Sequence, residues 1–249
     1  MRRIESGIEA EAKDQSGLQE AAAQLALDEA LLIAADEDGI GPSFRIWELS
    51  RPTVVLGRSS KVDRETDRAF CAAGGIPIVR RCTGGASIVA GPGCLMYSVV
   101  LSIEQHPELA KVDAAHRHVM DRVLAAARRQ VPAARREGVC DLTLAGRKFS
   151  GNALRIARRH VLYHGTILYA GDLALIAKCL DFAPRQPEYR GGRSHGEFIT
   201  NATLRPDRFA DDLASQWNAA PGDPPPEVFD RARELASKRY GCDDWHYRH

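Results

Sequence analysis

The stretch from residue 141 to 169, DLTLAGRKFSGNALRIARRHVLYHGTILY, constrains the fold more than any other part of the chain. It reads as three strands in succession, the first turn being Ala145-Gly146, with no helix-length segment between them. Before it, SFRIWE, TVVLG and IPIVRR read as short strands, and CTGGASIVAGPGCLMYSVVLS as a glycine-rich loop, a short extended piece, a G-P-G turn and a buried strand. Strands joined by hairpins without strict βαβ alternation predict an α+β domain with a mixed, largely antiparallel sheet and helices packed on it, and exclude a doubly wound dinucleotide fold. The helices are expected at about 25–39, 61–73, 113–130, 172–180, 208–217 and 227–239, from apolar spacing near 3.6 residues and from glycine or proline stops. Residues 1–17 are polar and aperiodic and predict a flexible terminus. The segment APRQPEYRGGRSHGEF is expected as a polar loop, and GDPPP as a stiff linker between the last two helices.

At 249 residues, 44% hydrophobic and 27% charged, the chain is long enough to bury a core without crosslinks. Lys plus Arg total 34 against Asp plus Glu 33, so no global field drives it onto nucleic acid or anionic lipid. The doublets Arg128-Arg129, Arg135-Arg136 and Arg158-Arg159 read as solvated faces or a docking rim for an acidic partner. No apolar run approaches a membrane span and the start lacks a secretory core, so the expectation is a cytoplasmic protein. Six scattered cysteines and eight histidines show no metal-ligand spacing, and no metal site is expected.

Three constellations carry chemistry. Arg80-Arg81-Cys82-Thr83-Gly84-Gly85-Ala86 delivers two guanidinium forks to a loop whose backbone N–H groups are unshielded, an arrangement suited to phosphate or carboxylate oxygens. A hairpin turn with solvated arginines would show the same residues. In Arg147-Lys148-Phe149-Ser150-Gly151-Asn152-Ala153, strand alternation puts Lys148 and Ser150 on one face and Phe149 and Gly151 on the other. A strand lysine partly out of water can stabilise charge on a carbonyl or phosphate oxygen, although exposed strand lysines are commoner. Tyr163-His164-Gly165-Thr166 sets a potential acid, base or donor beside a glycine, and taken alone His164 reads equally as a core histidine.

In this order and spacing the three resemble the catalytic domain of lipoate–protein ligases and octanoyltransferases, kin of biotin–protein ligases. The likeness runs through LALDEALL (25–32), RIWE (45–48), TVVLGR (53–58), RRCTGGASIV (80–89), DLTLAGRKFSGNALR (141–155) and LYHGTILY (162–169). It implies a biotin/lipoate ligase-like catalytic domain at 18–205, followed by a helical extension at 206–249 in place of a full accessory domain. It further implies a lipoyl or octanoyl chain in a tunnel, and transfer to a lysine of apo lipoyl domains such as those of 2-oxoacid dehydrogenase E2 or the glycine-cleavage H protein. By resemblance, Lys148 touches the acyl carbonyl and, in a ligase, the adenylate phosphate. Arg80, Arg81, Thr83, Gly84, Gly85 and Ala86 belong to the loop around acyl chain and nucleotide. Ser150, Gly151, Asn152 and Ala153 flank the lysine, and His164-Gly165 matches the H-G of the next strand.

The two branches of the family imply different chemistry. A ligase uses ATP and Mg²⁺, and the lysine-strand wording leans that way, yet Ala90-Gly91 stands where ligases usually carry His-Asp. The G-P-G turn at 91–93 and Tyr97 look like the octanoyltransferase branch, with Cys94 where that branch tends to have Gln. The best-known octanoyltransferase nucleophile has no counterpart in His160-Val161-Leu162-Tyr163, but Cys140 lies near the loop cysteine of other transferases. A transferase would take its acyl group from an acyl carrier protein thioester or a lipoyl protein without ATP, with Cys140 as a candidate nucleophile. A ligase without accessory domain implies either a separate accessory subunit or an unusually simple mechanism. A non-catalytic acyl- or nucleotide-binding homologue is the third reading.

Overall fold

The computed structural model describes residues 1–5, 7, 17–181 and 186–249. In chain order its strands are β1 (Arg2–Ile4), β2 (Ser43–Trp47), β3 (Thr53–Leu56), β4 (Ile78–Arg80), β5 (Ile88–Ala90), β6 (Cys94–Ser102), β7 (Arg135–Glu137), β8 (Asp141–Leu144), β9 (Arg147–Ser150), β10 (Asn152–Ile156), β11 (His160–Leu168) and β12 (Ala220–Pro221). The helices are α1 (Leu18–Asp38), α2 (Val62–Glu65), α3 (Arg68–Ala73), α4 (Val112–Arg128), α5 (Leu173–Cys179), α6 (His195–Phe198), α7 (Pro206–Gln216), α8 (Pro226–Leu235) and α9 (Asp243–His246). A six-stranded sheet runs β10-β11-β6-β2-β1-β12, flanked by three-stranded sheets β4-β3-β5 and β7-β8-β9. Pairings of β1 with β2 and β12, and of β3 with β4, are parallel; the others are antiparallel, so the fold is α+β with a mixed, mostly antiparallel sheet system.

Period-two alternation along β11 sorts the two faces of the large sheet. Leu162 packs in one apolar cluster with Leu27 and Leu31 of α1 and Val228 of α8. Its neighbour Tyr163 points the other way, and its hydroxyl lies 3.0 Å from His116 Nδ1 of α4. The extension at 206–249 therefore belongs to the same core: α8 lies against α1 and α7 against α4.

Several expectations are corrected by tertiary contacts. Residues 2–4 of the expected flexible terminus form β1, because Ile4 is buried beside α1 and Arg2 and Arg3 pair with Ala220 and Pro221. Residues 6 and 8–16 of that terminus, and 182–185 of the expected polar loop, lie outside the described residues. The helix expected over 61–73 is two, interrupted at Thr66, which takes an extended conformation and bridges Leu180. The three strands expected over 141–169 are four, because the chain breaks at Gly151 between β9 and β10. The turn at Ala145-Gly146 is where the sequence puts it, with both residues left-handed. Among the described residues, no helix is long and apolar enough to cross a membrane.

Candidate active site

Strand register assembles the first layer of the site. Arg45 of β2 stands opposite Ser98 of β6, Ser98 opposite His164 of β11, and His164 opposite Ala153 of β10. Directly paired residues share a face of the sheet, and this is the face that α1 covers. It drops Asp28 onto the row: Oδ1 accepts from Arg45 Nη1 at 2.7 Å and from Ser98 Oγ at 2.8 Å, while Oδ2 lies 3.2 Å from His164 Nδ1. Burial works against the Asp28 carboxylate, but Arg45, His164 and Ser98 together outweigh it and hold its pKa below the usual 3.8. An ionised Asp28 can only accept, so His164 Nδ1 carries the proton, and in the neutral ring Nε2 accepts from the Thr83 hydroxyl, 2.6 Å away. Thr83 in turn accepts from Arg81 Nε at 3.0 Å. A chain of buried contacts thus ties α1 and β11 to the Thr-Gly-Gly loop.

The neighbouring row, on the opposite face, holds the lysine strand in place. Gly165 stands between Tyr97 and Asn152, and the Tyr97 hydroxyl donates to Asn152 Oδ1 across it. Asn152 Nδ2 donates to the carbonyl of Cys140 at 2.6 Å and to Ser150 Oγ at 3.1 Å, which clamps β10 onto the start of β8. Only glycine fits at 165, because a Cβ there would lie 1.8 Å from Asn152 Oδ1 and 2.9 Å from Tyr97 Cε1. Gly165→Ala is expected to expel the Asn152 side chain and cost about 1–3 kcal/mol by overpacking. Thermal denaturation checks it, and an unchanged midpoint counts against the clamp.

Lys148 leaves β9 beside Gly151, where a Cβ would come within 2.8 Å of its Cε and Nζ. Its Nζ lies 2.8 Å from Asp141 Oδ1, whose other oxygen accepts from the Tyr189 hydroxyl at 2.7 Å. The lysine stands where two cavities meet. The larger encloses about 820 Å³, partly open to solvent, with Ile88, Val89, Phe149, Leu168, Ile176 and Phe198 among its walls. The second, about 460 Å³, is lined by Arg81, Asn152, Ala153, His164 and Gly165. Lys148, Ala86, Ser87, Ile88, Gly151 and Thr166 border both. Ser150 lines the larger one but is almost fully buried, its Oγ taken by Asn152. Gly84 and Gly85 are exposed at the loop tip next to Ala86. Phe149 is not simply turned away from the lysine: a register shift between Leu142 and Thr143 inserts it as an extra residue in β9, so it fills the core and also walls the cavity.

The expectation for Arg80 is corrected. It is completely buried and borders neither cavity. Nη1 donates to the carbonyls of Gly57 and Ser60, both at 2.8 Å, Nη2 to that of His246 at 2.6 Å, and Nε to Trp245 and His246. Each of its guanidinium nitrogens is engaged in holding α9 or the loop after β3, because alternation on β4 turns Arg80 away from the side that Arg81 takes. Arg81 bonds the carbonyls of Gly84 and Ala86 at 2.6 and 2.9 Å and so shapes the loop from within. Burial pushes both guanidinium groups down to about 10, which leaves them cationic at neutral pH.

The thiols are electrostatically disfavoured as resting nucleophiles. Burial, aided by Asp141, pushes Cys140 up to about 11, and its Sγ donates to the Asn152 carbonyl at 3.3 Å. Cys94, on the wall of the larger cavity, is pushed up to about 12 by burial and Glu48. Sequence reasoning missed His195, which lines that cavity from α6 and is pushed down to about 4 by burial, by the Arg190 charge and, more weakly, by Lys148. It also missed Glu65, a buried carboxylate on the same wall that accepts from Ser87 N and Ser60 Oγ, both at 2.9 Å. An S-H-G-E run in a polar loop carries no periodic signal for His195, whereas Asp28-Glu29 inside the apolar stripe of α1 was a visible mark of buried partners.

Residues 20–205 match the lipoyl protein ligase A/B catalytic domain. The chain belongs to that family. The octanoyltransferase LipM of Kyrpidia tusciae is 26% identical over 268 aligned positions, spanning 94% of this chain and 97% of that protein. LipM of Geobacillus kaustophilus is 32% identical over 185 positions, 65% of this chain and 66% of its own. Among solved structures, a bipartite lipoate protein ligase from Thermoplasma acidophilum, studied with its E2 lipoyl domain, superposes with a TM-score of 0.78 at 22% identity, covering 99% of this chain and 95% of that one. A lipoate–protein ligase A bound with ATP superposes with a TM-score of 0.75 at 21% identity, covering 91% and 93%. These structures share the fold. The family is one of acyl-attaching enzymes, and this chain is an enzyme of that kind.

Proposed function

We propose that the protein is a lipoate–protein ligase, joining lipoate or octanoate to a lysine of an apo lipoyl domain through an acyl-adenylate. One observation carries the reading: a single ammonium group, Lys148 Nζ, stands between an apolar cavity sized for an acyl chain and a second cavity bordered by Arg81, Asn152 and His164. The acid oxygen of the substrate attacks the α-phosphorus of ATP and pyrophosphate leaves. The deprotonated amine of the acceptor lysine then attacks the acyl carbonyl, the amide forms and AMP departs. In both steps negative charge builds on oxygens within reach of Lys148, where a preorganised cation acts most strongly. Mg²⁺ would neutralise phosphate charge; an ion carried in by its nucleotide needs few protein oxygens, and none is offered by Asp141, whose two oxygens are engaged by Lys148 and Tyr189. Acceptance of lipoyl domains is favoured by the family; of the basic doublets, Arg129, Arg136 and Arg159 are engaged with Asp212, Asp121 and Asp36 of the chain itself, which leaves the exposed Arg158 to face a partner. The expected domain limits, 18–205 with an extension at 206–249, remain part of this reading.

The LipM relatives favour a second reading, an ATP-independent transferase with acyl carrier protein thioester as donor. Against it stands the protonated, hydrogen-bonded Cys140. Purified chain is incubated with apo lipoyl domain and either lipoate, ATP and Mg²⁺ or octanoyl carrier protein, and the acceptor mass is measured. The expected product appears only with ATP and persists in Cys140→Ser. Product from the thioester alone, lost in Cys140→Ser, establishes the transferase instead. If ATP supports product only when a second subunit is added, the chain is half of a bipartite ligase. No product from any donor leaves the non-catalytic reading.

A further inference from the structure

At the far end of the large sheet from Lys148, two histidines and a glutamate turn toward one another. His106 ends the loop after β6, Glu108 lies in the 3₁₀ turn Pro107–Ala110, and His118 is on α4. His118 Nδ1 is 3.3 Å and His106 Nδ1 3.7 Å from the same Glu108 Oε1, and the three donor atoms all fall within 4.8 Å of one another. Around a tetrahedral ion with bonds of about 2.0 Å, ligand atoms sit roughly 3.3 Å apart. The His118–Glu108 edge already has that length, and the others close by a rotation of His106, whose side chain is 42% exposed. His118, only 12% exposed, is held by stacking on Trp217, ring centres 6.1 Å apart. Both histidines and Trp217 line a separate cavity of about 770 Å³. The indole N–H of Trp217 is buried there without a hydrogen-bond partner. One positive group stands nearby, Arg122, whose guanidinium is drawn onto the Trp217 ring, 4.8 Å from its centre.

We infer that His106, Glu108 and His118 form a binding site for a divalent transition ion of the zinc class, open to the cavity on its fourth side. Two imidazoles and one carboxylate match the borderline character of such ions, and too few oxygens are present for Ca²⁺ or Mg²⁺. Along β6, Ser102 on the wall of this cavity is eight residue steps from Cys94, on the wall of the acyl cavity, and six from Met96, on the wall of the second cavity. At strand rise that is roughly 20–26 Å, so the ion serves no acyl step; it clamps the 106–110 turn to α4. The linear spacing, His-x-Glu and then ten residues to His118, matches no familiar ligand motif, which is why the sequence gives no sign of this site.

The test uses full-length protein stripped with chelator. Calorimetric titration with Zn²⁺ is expected to show one site, and Co²⁺ to give a visible absorption band without the near-ultraviolet thiolate charge transfer that cysteine ligation would add. His118→Gln and His106→Ala should each weaken binding at least tenfold and abolish the Zn²⁺-induced rise in melting temperature, with unchanged melting in chelator as the folding control. Absence of saturable binding, binding unaffected in the double variant, or a thiolate band would each overturn the site. In that case the cluster is a set of polar contacts between Glu108 and the two imidazoles.

Discussion

Replacing Lys148 by methionine is expected to lower kcat/KM for acyl transfer by about 10²–10³-fold, the usual cost of removing one preorganised donor to a developing oxyanion. The loss should fall on kcat more than on KM for the acid, because the acyl chain is gripped by the apolar walls of the larger cavity and the ammonium acts on charge that appears only during reaction. Lys148→Arg should not rescue. A planar fork cannot reproduce a point charge. Stability should fall as well, because the lysine is 28% exposed but Asp141 is only 10% exposed and loses its cation, keeping the Tyr189 hydroxyl as its donor. Steady-state kinetics with the productive donor, alongside thermal melts, separate the effects. A methionine variant that keeps activity within tenfold of wild type would remove Lys148 from the chemistry, whichever branch supplies the acyl group.

The lysine strand, the Thr-Gly-Gly loop and His164-Gly165 were legible because each is a local word: a short run whose residue types and backbone demands sit together in sequence. What was not legible depends on packing between segments that local residue patterns do not relate. Alternation on β4 says that Arg80 and Arg81 point to opposite sides, but not which side is the site. That is decided by α9, 166 positions away, whose carbonyls take up Arg80. Likewise, His195 becomes a neutral imidazole near Lys148 only because the 195–200 segment is laid against β9, with Thr200 N bonded to the Lys148 carbonyl at 2.8 Å. The break at Gly151 follows from the lysine side chain crossing its backbone, a packing fact that alternation alone cannot express.

Asp28→Asn should be the most destabilising single-atom change in the site. Arg45 is 3% exposed, and besides Asp28 its described partners are the side chain and carbonyl of Gln24 and the Trp47 ring, 5.6 Å from its guanidinium. Leaving its charge uncompensated in the interior costs about 3–5 kcal/mol, which in a chain of this length lowers the melting temperature by about 6–20 °C. Because a buried pair can often be replaced together with little loss, Asp28→Asn combined with Arg45→Met should recover much of the deficit, and a double-mutant cycle gives the coupling. The pH dependence follows from the depressed pKa of Asp28. Its stabilisation is complete above the unfolded value near 3.8 and is lost as pH falls through the lower folded value, so the gap between wild type and variant should stay constant from neutrality to about pH 4 and narrow only below it. Activity should also fall at temperatures where the variant is folded, because His164 loses the acceptor that fixes its proton on Nδ1, and Thr83 with it loses the contact that sets the Thr-Gly-Gly loop against Lys148. A variant that melts and turns over like wild type would mean that the Thr-Gly-Gly loop keeps its shape through Arg81 alone, whose bonds to Gly84 and Ala86 are then sufficient.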